Sequence, residues 1–189
     1  MGNVLTVEEI KKEILKCGKN PTYFLCNYGK ITHPVRGNIP FKTYDFQNDL
    51  LDKFRDHRFN VIAKARQLGI STIVAGYIAW LILFYREKNV LVMATKYSTA
   101  SNMVKKVKFL IKNVPDWLKI ATVSVDNKHP FELTNGSQVK AIPTSEDAGR
   151  SEAVSLLVVD EAAHIDNMES IWTGLYPTIS TGGRCVALS

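Results

Sequence analysis

The sequence predicts an α/β fold of three layers with a mainly parallel central sheet, and three observations support it. Short apolar segments alternate with helical patterns along most of the 189 residues, as expected of consecutive βαβ units. Residues 155–159 are rich in Val and Leu without alternation, which is typical of a strand buried on both faces. Asn135-Gly136 separates two alternating segments, 131–134 and 138–142, and indicates an antiparallel hairpin at one edge of the sheet.

The predicted elements begin with a capped helix and end with a strand. Thr6 and Glu9 form a capping-box pattern before an amphipathic helix. The following elements are predicted in this order: a Pro- and Gly-marked approach segment at about 20–40, a helix at about 45–55, a strand at 59–63, an apolar helix at 73–85, a strand at 90–94, a basic helix at 99–113, a strand near 121–125, the hairpin, the strand at 155–159, a helix around 168–175 and a strand at 184–188. We therefore divide the chain into an N-terminal helix with its approach segment, residues 1–40, and a core, residues 41–189.

The segment after the strand at 59–63 has the features of a phosphate-binding loop. Gly69 and Ser71 keep the spacing of the usual Gly-x-x-x-x-Gly-Lys-[Ser/Thr] pattern, but Ile70 stands at the lysine position. We expect the ammonium group to come instead from Lys64 at the start of the loop, with Arg66 as the second candidate. An ordinary basic turn before a buried helix remains the alternative for this segment alone. The predicted phosphate contacts are Lys64, Ala65, Arg66, Gln67, Leu68, Gly69, Ile70, Ser71 and Thr72.

Two acidic residues, Asp160 and Glu161, follow the apolar strand at 155–159. Ligands of open α/β sheets bind at the carboxyl ends of the strands. We expect Asp160 and the Ser71 hydroxyl to hold Mg²⁺, and Glu161 to accept a proton from the attacking water. The alternative is a strand that leads into a solvated turn. The two motifs occurring in this order favour an ATP hydrolase that requires Mg²⁺ and has the P-loop fold.

These motifs resemble the ATPase region of the large terminase subunit, the motor that packages DNA into the capsids of tailed phages and related viruses. The resemblance includes residues 39–47, the loop from Arg66 to Thr72, Ser145-Glu-Asp-Ala-Gly-Arg150 and the strand end at 158–162. Some members of that family carry the loop lysine at the front, as Lys64 does here. The resemblance implies a P-loop NTPase fold of the ASCE or RecA-like type.

The resemblance also implies roles for residues outside the phosphate loop. Tyr44 and Gln47 match the element that holds adenine, in which an aromatic ring stacks on the base and an amide pairs with its edge. Arg150 matches an arginine finger that acts on the ATP of a neighbouring subunit. Arg66 competes for this catalytic role from within the same subunit. A surface salt bridge for Arg150 and a plain surface position for Gln47 are the alternatives.

The resemblance implies that ATP hydrolysis drives double-stranded DNA into a procapsid. The implied partners are double-stranded DNA, the small terminase subunit, the portal of the procapsid and further copies of the chain in a ring, with the isolated fragment as a monomer. The expected location is the host cytoplasm, without membrane contact. The resemblance further implies that the chain ends before the coupling motif and the nuclease domain, so we expect no nuclease site here.

Composition leaves several points open. The net charge of +6 permits a polyanionic partner, and the lysines at 105, 106, 108 and 112 are either a DNA contact or the solvated face of a helix. Three cysteines without Cys-x-x-Cys spacing argue against disulfides and zinc. Two other functions remain open: a helicase-like DNA translocase, and a DNA-binding or assembly module whose nucleotide site is inactive, as Ile70 would indicate.

Overall fold

The computed structural model describes residues 5–127, 130–145 and 152–189. Its N-terminal part consists of helix α1 (Val7–Lys19), helix α2 (Pro21–Tyr28) and a hairpin of strands β1 (Lys30–His33) and β2 (Gly37–Pro40). Thr6 caps α1 as predicted, because its hydroxyl accepts the Glu9 N–H at 3.3 Å and its own N–H donates to the Glu9 carboxylate at 2.7 Å. The segment predicted only as an approach to the core therefore forms a helix and a hairpin.

The central part alternates helices and strands in the predicted order. These elements are α3 (Asp45–Asp56), β3 (Phe59–Ile62), α4 (Ile70–Phe84), β4 (Asn89–Ala94), α5 (Tyr97–Lys112), β5 (Val123–Asp126), β6 (Pro130–Leu133), β7 (Gln138–Ala141), β8 (Leu156–Asp160), α6 (Met168–Ser180) and β9 (Arg184–Leu188). Helix α4 begins at Ile70 rather than at 73, because Gly69 turns the loop directly into the helix. Helix α6 continues to Ser180 rather than to about 175, and Thr178 and Ile179 are buried beneath the sheet.

The sheet has the strand order β3-β9-β8-β4-β7-β6-β5 within the described residues. Strands β3, β9, β8, β4 and β7 are parallel neighbours, whereas β6 pairs with β7 and β5 in antiparallel fashion. The predicted mainly parallel sheet with an antiparallel hairpin at its edge is confirmed. Only β9 separates β3, which leads into the phosphate loop, from β8, which ends in the acidic residues. Both segments therefore leave the sheet at the same edge.

Apolar side chains cover both faces of the sheet, which makes the domain three layers thick. Helix α4 is buried from Ile73 to Leu83 and packs between the sheet and the first helices, whose Phe24 and Leu25 belong to the same core. On the other face, α6 packs Leu175 against the buried side chains of β4 and β8. The three cysteines are free thiols, and the described helices are all too short or too polar to cross a membrane.

Candidate functional site

The loop between β3 and α4 has the backbone features of a phosphate-binding turn. Gln67 and Gly69 have positive φ values of 66° and 71°. A Cβ atom at Gly69 would lie 3.0 Å from Nε2 of Gln47, so glycine is needed there both for its φ and for this close approach. Within the described residues, the backbone N–H groups of 65–71 have no hydrogen-bond acceptor. Such N–H groups at the start of a helix can bind phosphate oxygens.

Asp160 at the end of β8 connects the acidic strand to this loop. Its Oδ1 lies 3.2 Å from Nζ of Lys64 and accepts the Glu161 N–H at 3.0 Å. Its Oδ2 accepts a hydrogen bond from Oγ of Ser71 at 3.1 Å. The Asp160 side chain is only 6% exposed, so these neighbours replace water around its charge. The structure thus brings together residues from the two motifs that were identified separately in the sequence.

The pair of Asp160 and Ser71 suits Mg²⁺ by its chemistry. Mg²⁺ is commonly bound by one or two carboxylates together with substrate phosphate oxygens and water. No cluster of three or more His, Cys, Asp or Glu side chains capable of holding a metal exists in the described ranges. A Mg²⁺ ion at this site would therefore depend on the nucleotide for part of its coordination.

Glu161 follows Asp160 in the left-handed conformation, with a φ of 57°. Few residues other than glycine adopt this conformation, which costs energy and often marks functional sites. The Glu161 Oε2 atom accepts a hydrogen bond from Oγ1 of Thr95, which follows β4. Because β4 pairs with β8, Thr95 lies at the same edge of the sheet as the acids. The sequence did not reveal Thr95 as a site residue, since the pairing of these strands is not visible in it.

A cleft of about 710 Å³ lies between the β1–β2 hairpin and the phosphate loop. Tyr44 and Gln47 line it together with Leu68, Gly69 and other loop residues, as the resemblance implied. The Tyr44 ring is 67% exposed and stacks on Phe46, with the ring centroids 5.8 Å apart. The hairpin residues of the cleft, which include His33 and Arg36, were not predicted, because the hairpin itself was not.

Gln47 is buried, and both ends of its amide bind backbone groups. Its Oε1 accepts the Tyr44 N–H at 3.1 Å, and its Nε2 donates to the Leu68 carbonyl at 2.9 Å. These bonds join the start of α3 to the tip of the phosphate loop. The amide retains one N–H and one lone pair, which match the donor and acceptor pattern that an adenine edge requires.

The remaining predicted residues are not gathered at the acidic strand. Ala65 and Arg66 are exposed, and the Arg66 guanidinium forms neither an ion pair nor a hydrogen bond within the described part of the chain. Ile70 is only 4% exposed and belongs to the apolar core, so the side chain at the usual lysine position contributes packing instead of charge. Arg150 lies outside the described residues, and its role as an arginine finger stays a prediction.

Lys106 of α5 lies beside the start of α4, where the sequence predicted no site residue. Its Nζ donates a hydrogen bond to Oγ1 of Thr72 at 3.3 Å. Partial desolvation of the ammonium lowers the pKa of Lys106, although the attraction of Asp160 opposes this and the repulsion of Lys64 adds to it. The predicted basic helix is therefore not a uniform solvated face, because one of its lysines is directed to the phosphate loop.

Comparisons with known proteins agree with this geometry. Residues 61–185 match the family model described as terminase large subunit, T4likevirus-type, N-terminal. The large terminase of bacteriophage HK97 has a TM-score of 0.70 at 15% identity, covering 90% of this chain and 37% of that chain. The large terminase ATPase domain of Thermus phage P74-26 has a TM-score of 0.61 at 17% identity, covering 79% and 65%. The large terminase of another thermophilic bacteriophage, in complex with ADP, has a TM-score of 0.59 at 12% identity, covering 77% and 38%.

These likenesses confirm the predicted P-loop NTPase fold. At identities between 12% and 17% the solved structures establish a shared fold. The chain spans 37% of the HK97 terminase and 65% of the P74-26 ATPase domain, so it corresponds to part of each of these proteins.

Proposed function

The chain belongs to the T4likevirus-type family of terminase large subunits, whose N-terminal model its residues 61–185 match, and from this we propose that it binds and hydrolyses ATP as part of a viral DNA-packaging motor. Hydrolysis would drive double-stranded DNA into a procapsid. The small terminase subunit, the portal and further copies of the chain in a ring are the proposed partners, and the host cytoplasm is the proposed location.

The observation that carries the proposal is the contact between the phosphate loop and the acidic strand. Lys64 and Ser71, at the two ends of the loop, both contact the Asp160 carboxylate, at 3.2 and 3.1 Å. A cation, a hydroxyl and a buried carboxylate therefore lie within one contact of each other, beside backbone N–H groups of the described loop that have no acceptors. This set of groups supplies what a Mg²⁺-bound triphosphate needs, even though the usual lysine position is apolar.

We assign the steps of hydrolysis to the following residues. The loop N–H groups and the Lys64 ammonium hold and neutralise the phosphate oxygens, while Ser71 and Asp160 hold Mg²⁺, which when bound withdraws charge from the phosphates. Glu161 accepts a proton from the attacking water, and its hydrogen bond from Thr95 fixes the carboxylate. Tyr44 and Gln47 bind the adenine base in the cleft. Arg150 of a neighbouring copy, or Arg66, would stabilise the charge that develops on the phosphoryl group.

Binding of Mg²⁺ and ATPγS by calorimetry tests this proposal. We expect Lys64→Met to weaken binding by at least about tenfold, because a charge-assisted contact to phosphate contributes roughly 1.5–3 kcal/mol. Arg66→Met is the matched control, since it removes a cation from the same loop. Unchanged binding in Lys64→Met with a loss in Arg66→Met would move the cation to Arg66. Equal, negligible binding by the wild type and Lys64→Met would instead favour the inactive nucleotide module.

A further inference from the structure

We propose that Lys106 of α5 is a second cation that contacts the phosphate chain of bound ATP, in addition to Lys64. This proposal rests on the proposed ATP binding and extends it to a helix outside both sequence motifs. It predicts that the phosphate site takes charge from two separate elements, the loop before α4 and the middle of α5.

The position of the ammonium group supports this assignment. Nζ of Lys106 donates to Oγ1 of Thr72 at 3.3 Å. Thr72 lies in the first turn of α4 and follows Ser71, which bonds to Asp160 at 3.1 Å. The Lys106 charge also interacts electrostatically with both Asp160 and Lys64. The ammonium therefore lies at the start of the helix whose free N–H groups are directed to the proposed phosphate site.

The other lysines of α5 have different surroundings. Lys108 and Lys112 form ion pairs with Asp126 of β5 at 3.2 and 2.5 Å, and Lys105 donates to the Asn102 side chain at 3.3 Å. Lys106 has no carboxylate within ion-pair distance among the described residues. Because an ammonium has three donors and Thr72 accepts from one, Lys106 keeps donors for an anion.

The ion pairing of Lys64 gives Lys106 a distinct role. Lys64 is already paired with Asp160, so part of its interaction with a phosphate must replace that contact. Lys106 can bind a phosphate oxygen without breaking an ion pair among the described residues. A cavity of about 330 Å³, lined by Thr72 and Lys106 among others, adjoins the ammonium and leaves it room to move toward the loop. Lys106 is thus the cation that gains most from the arrival of the nucleotide.

Equilibrium binding of Mg²⁺ and ATPγS to four proteins tests the proposal: the wild type, Lys106→Met, Lys106→Arg and Lys105→Met. We expect Lys106→Met to weaken ATPγS binding about tenfold, in the range of one charge-assisted hydrogen bond. Lys105→Met is the matched control, because it removes the neighbouring charge from the same helix, and it should change binding by less than about twofold. Lys106→Arg should restore most of the affinity. Adenosine, which has no phosphates, should bind the wild type and Lys106→Met equally.

The other outcomes separate this proposal from the proposed function. If Lys106→Met and Lys105→Met bind ATPγS equally while Lys64→Met loses binding, Lys106 is not a phosphate contact and ATP binding stands. If Lys106→Met loses adenosine and ATPγS to the same extent, Lys106 supports the shape of the cleft, and the proposal is overturned. If neither the wild type nor Lys64→Met binds ATPγS, the proposed function fails, and this extension fails with it.

Discussion

The phosphate end and the base end of the candidate site are held in different ways. At the phosphate end, Asp160 is buried and its two oxygens are occupied by Lys64, Ser71 and the next N–H group. At the base end, the cleft is wide, the Tyr44 ring is 67% exposed, and the Gln47 amide binds backbone groups. Charge arranged in advance holds one end, whereas stacking surface and neutral hydrogen bonds form the other.

This difference indicates where substitutions should matter most. Removing one member of a buried charged group leaves its partner unpaired, which costs several kcal/mol in typical cases. Removing an exposed aromatic ring or a neutral amide costs about 1 kcal/mol or less per contact. The chemistry and the metal should therefore depend on the phosphate end, and nucleotide preference on the base end.

The largest effect is expected from Glu161→Gln. We expect ATP hydrolysis to fall by at least about 10²-fold, because the amide cannot accept the proton of the attacking water. Binding of ATPγS should stay within about threefold of the wild type, since the amide preserves the shape of the carboxylate. Steady-state phosphate release and calorimetry measure the two quantities. Glu169→Gln in the first turn of α6 is the control, and hydrolysis close to the wild-type rate in Glu161→Gln would exclude Glu161 as the base.

Asp160→Asn should affect the metal rather than the chemistry alone. It removes the charge that pairs with Lys64 and that would hold Mg²⁺, so the gain in ATPγS affinity on adding Mg²⁺ should shrink by about 10-fold to 100-fold. Titrations with Mg²⁺ and with EDTA measure this gain in the variant and in the wild type. The same Mg²⁺ gain in both proteins would mean that the metal is bound elsewhere.

The fold was predictable because its signals are local and strong. The continuous apolar character of β8 gave a buried parallel strand, and Asn135-Gly136 gave the antiparallel hairpin, both as observed. The helix α2 and the β1–β2 hairpin were missed. Their residues are short segments between Pro and Gly, and tertiary packing of Phe24 and Leu25 against α4 stabilises them more than any periodicity in the sequence indicates.

The site was predictable where it follows from motif order and not where it depends on packing. The loop and the acidic strand were found from their sequences, and the proximity of Lys64 to Asp160 follows from strand order. Thr95 and Lys106 reach the site through the pairing of β4 with β8 and the packing of α5 beside α4, neither of which a motif records. A polar residue directly after a strand, as Thr95 is, was the only signal available for the first of them.

Tyr44→Ala tests the base end directly. Loss of a ring that stacks on a base typically costs about 1 kcal/mol, so we expect ATPγS affinity to fall about fivefold. Tyr44→Phe keeps the stacking face and should bind within about twofold of the wild type. Competition binding against a labelled nucleotide gives both values. Equal affinity for all three proteins would place the base away from this cleft.

Gln47→Leu should give the smallest change in affinity and the most specific one. The amide joins Tyr44 to Leu68, so its loss should cost about 1 kcal/mol of unfolding free energy, or about 2–4 °C in melting temperature for a chain of this size. Because its remaining N–H and lone pair match adenine, the preference for ATP over GTP should also fall about threefold. Asp49→Asn on the exposed face of α3 is the control. A lower melting temperature with an unchanged ATP preference would mean that Gln47 fixes the loop and does not read the base.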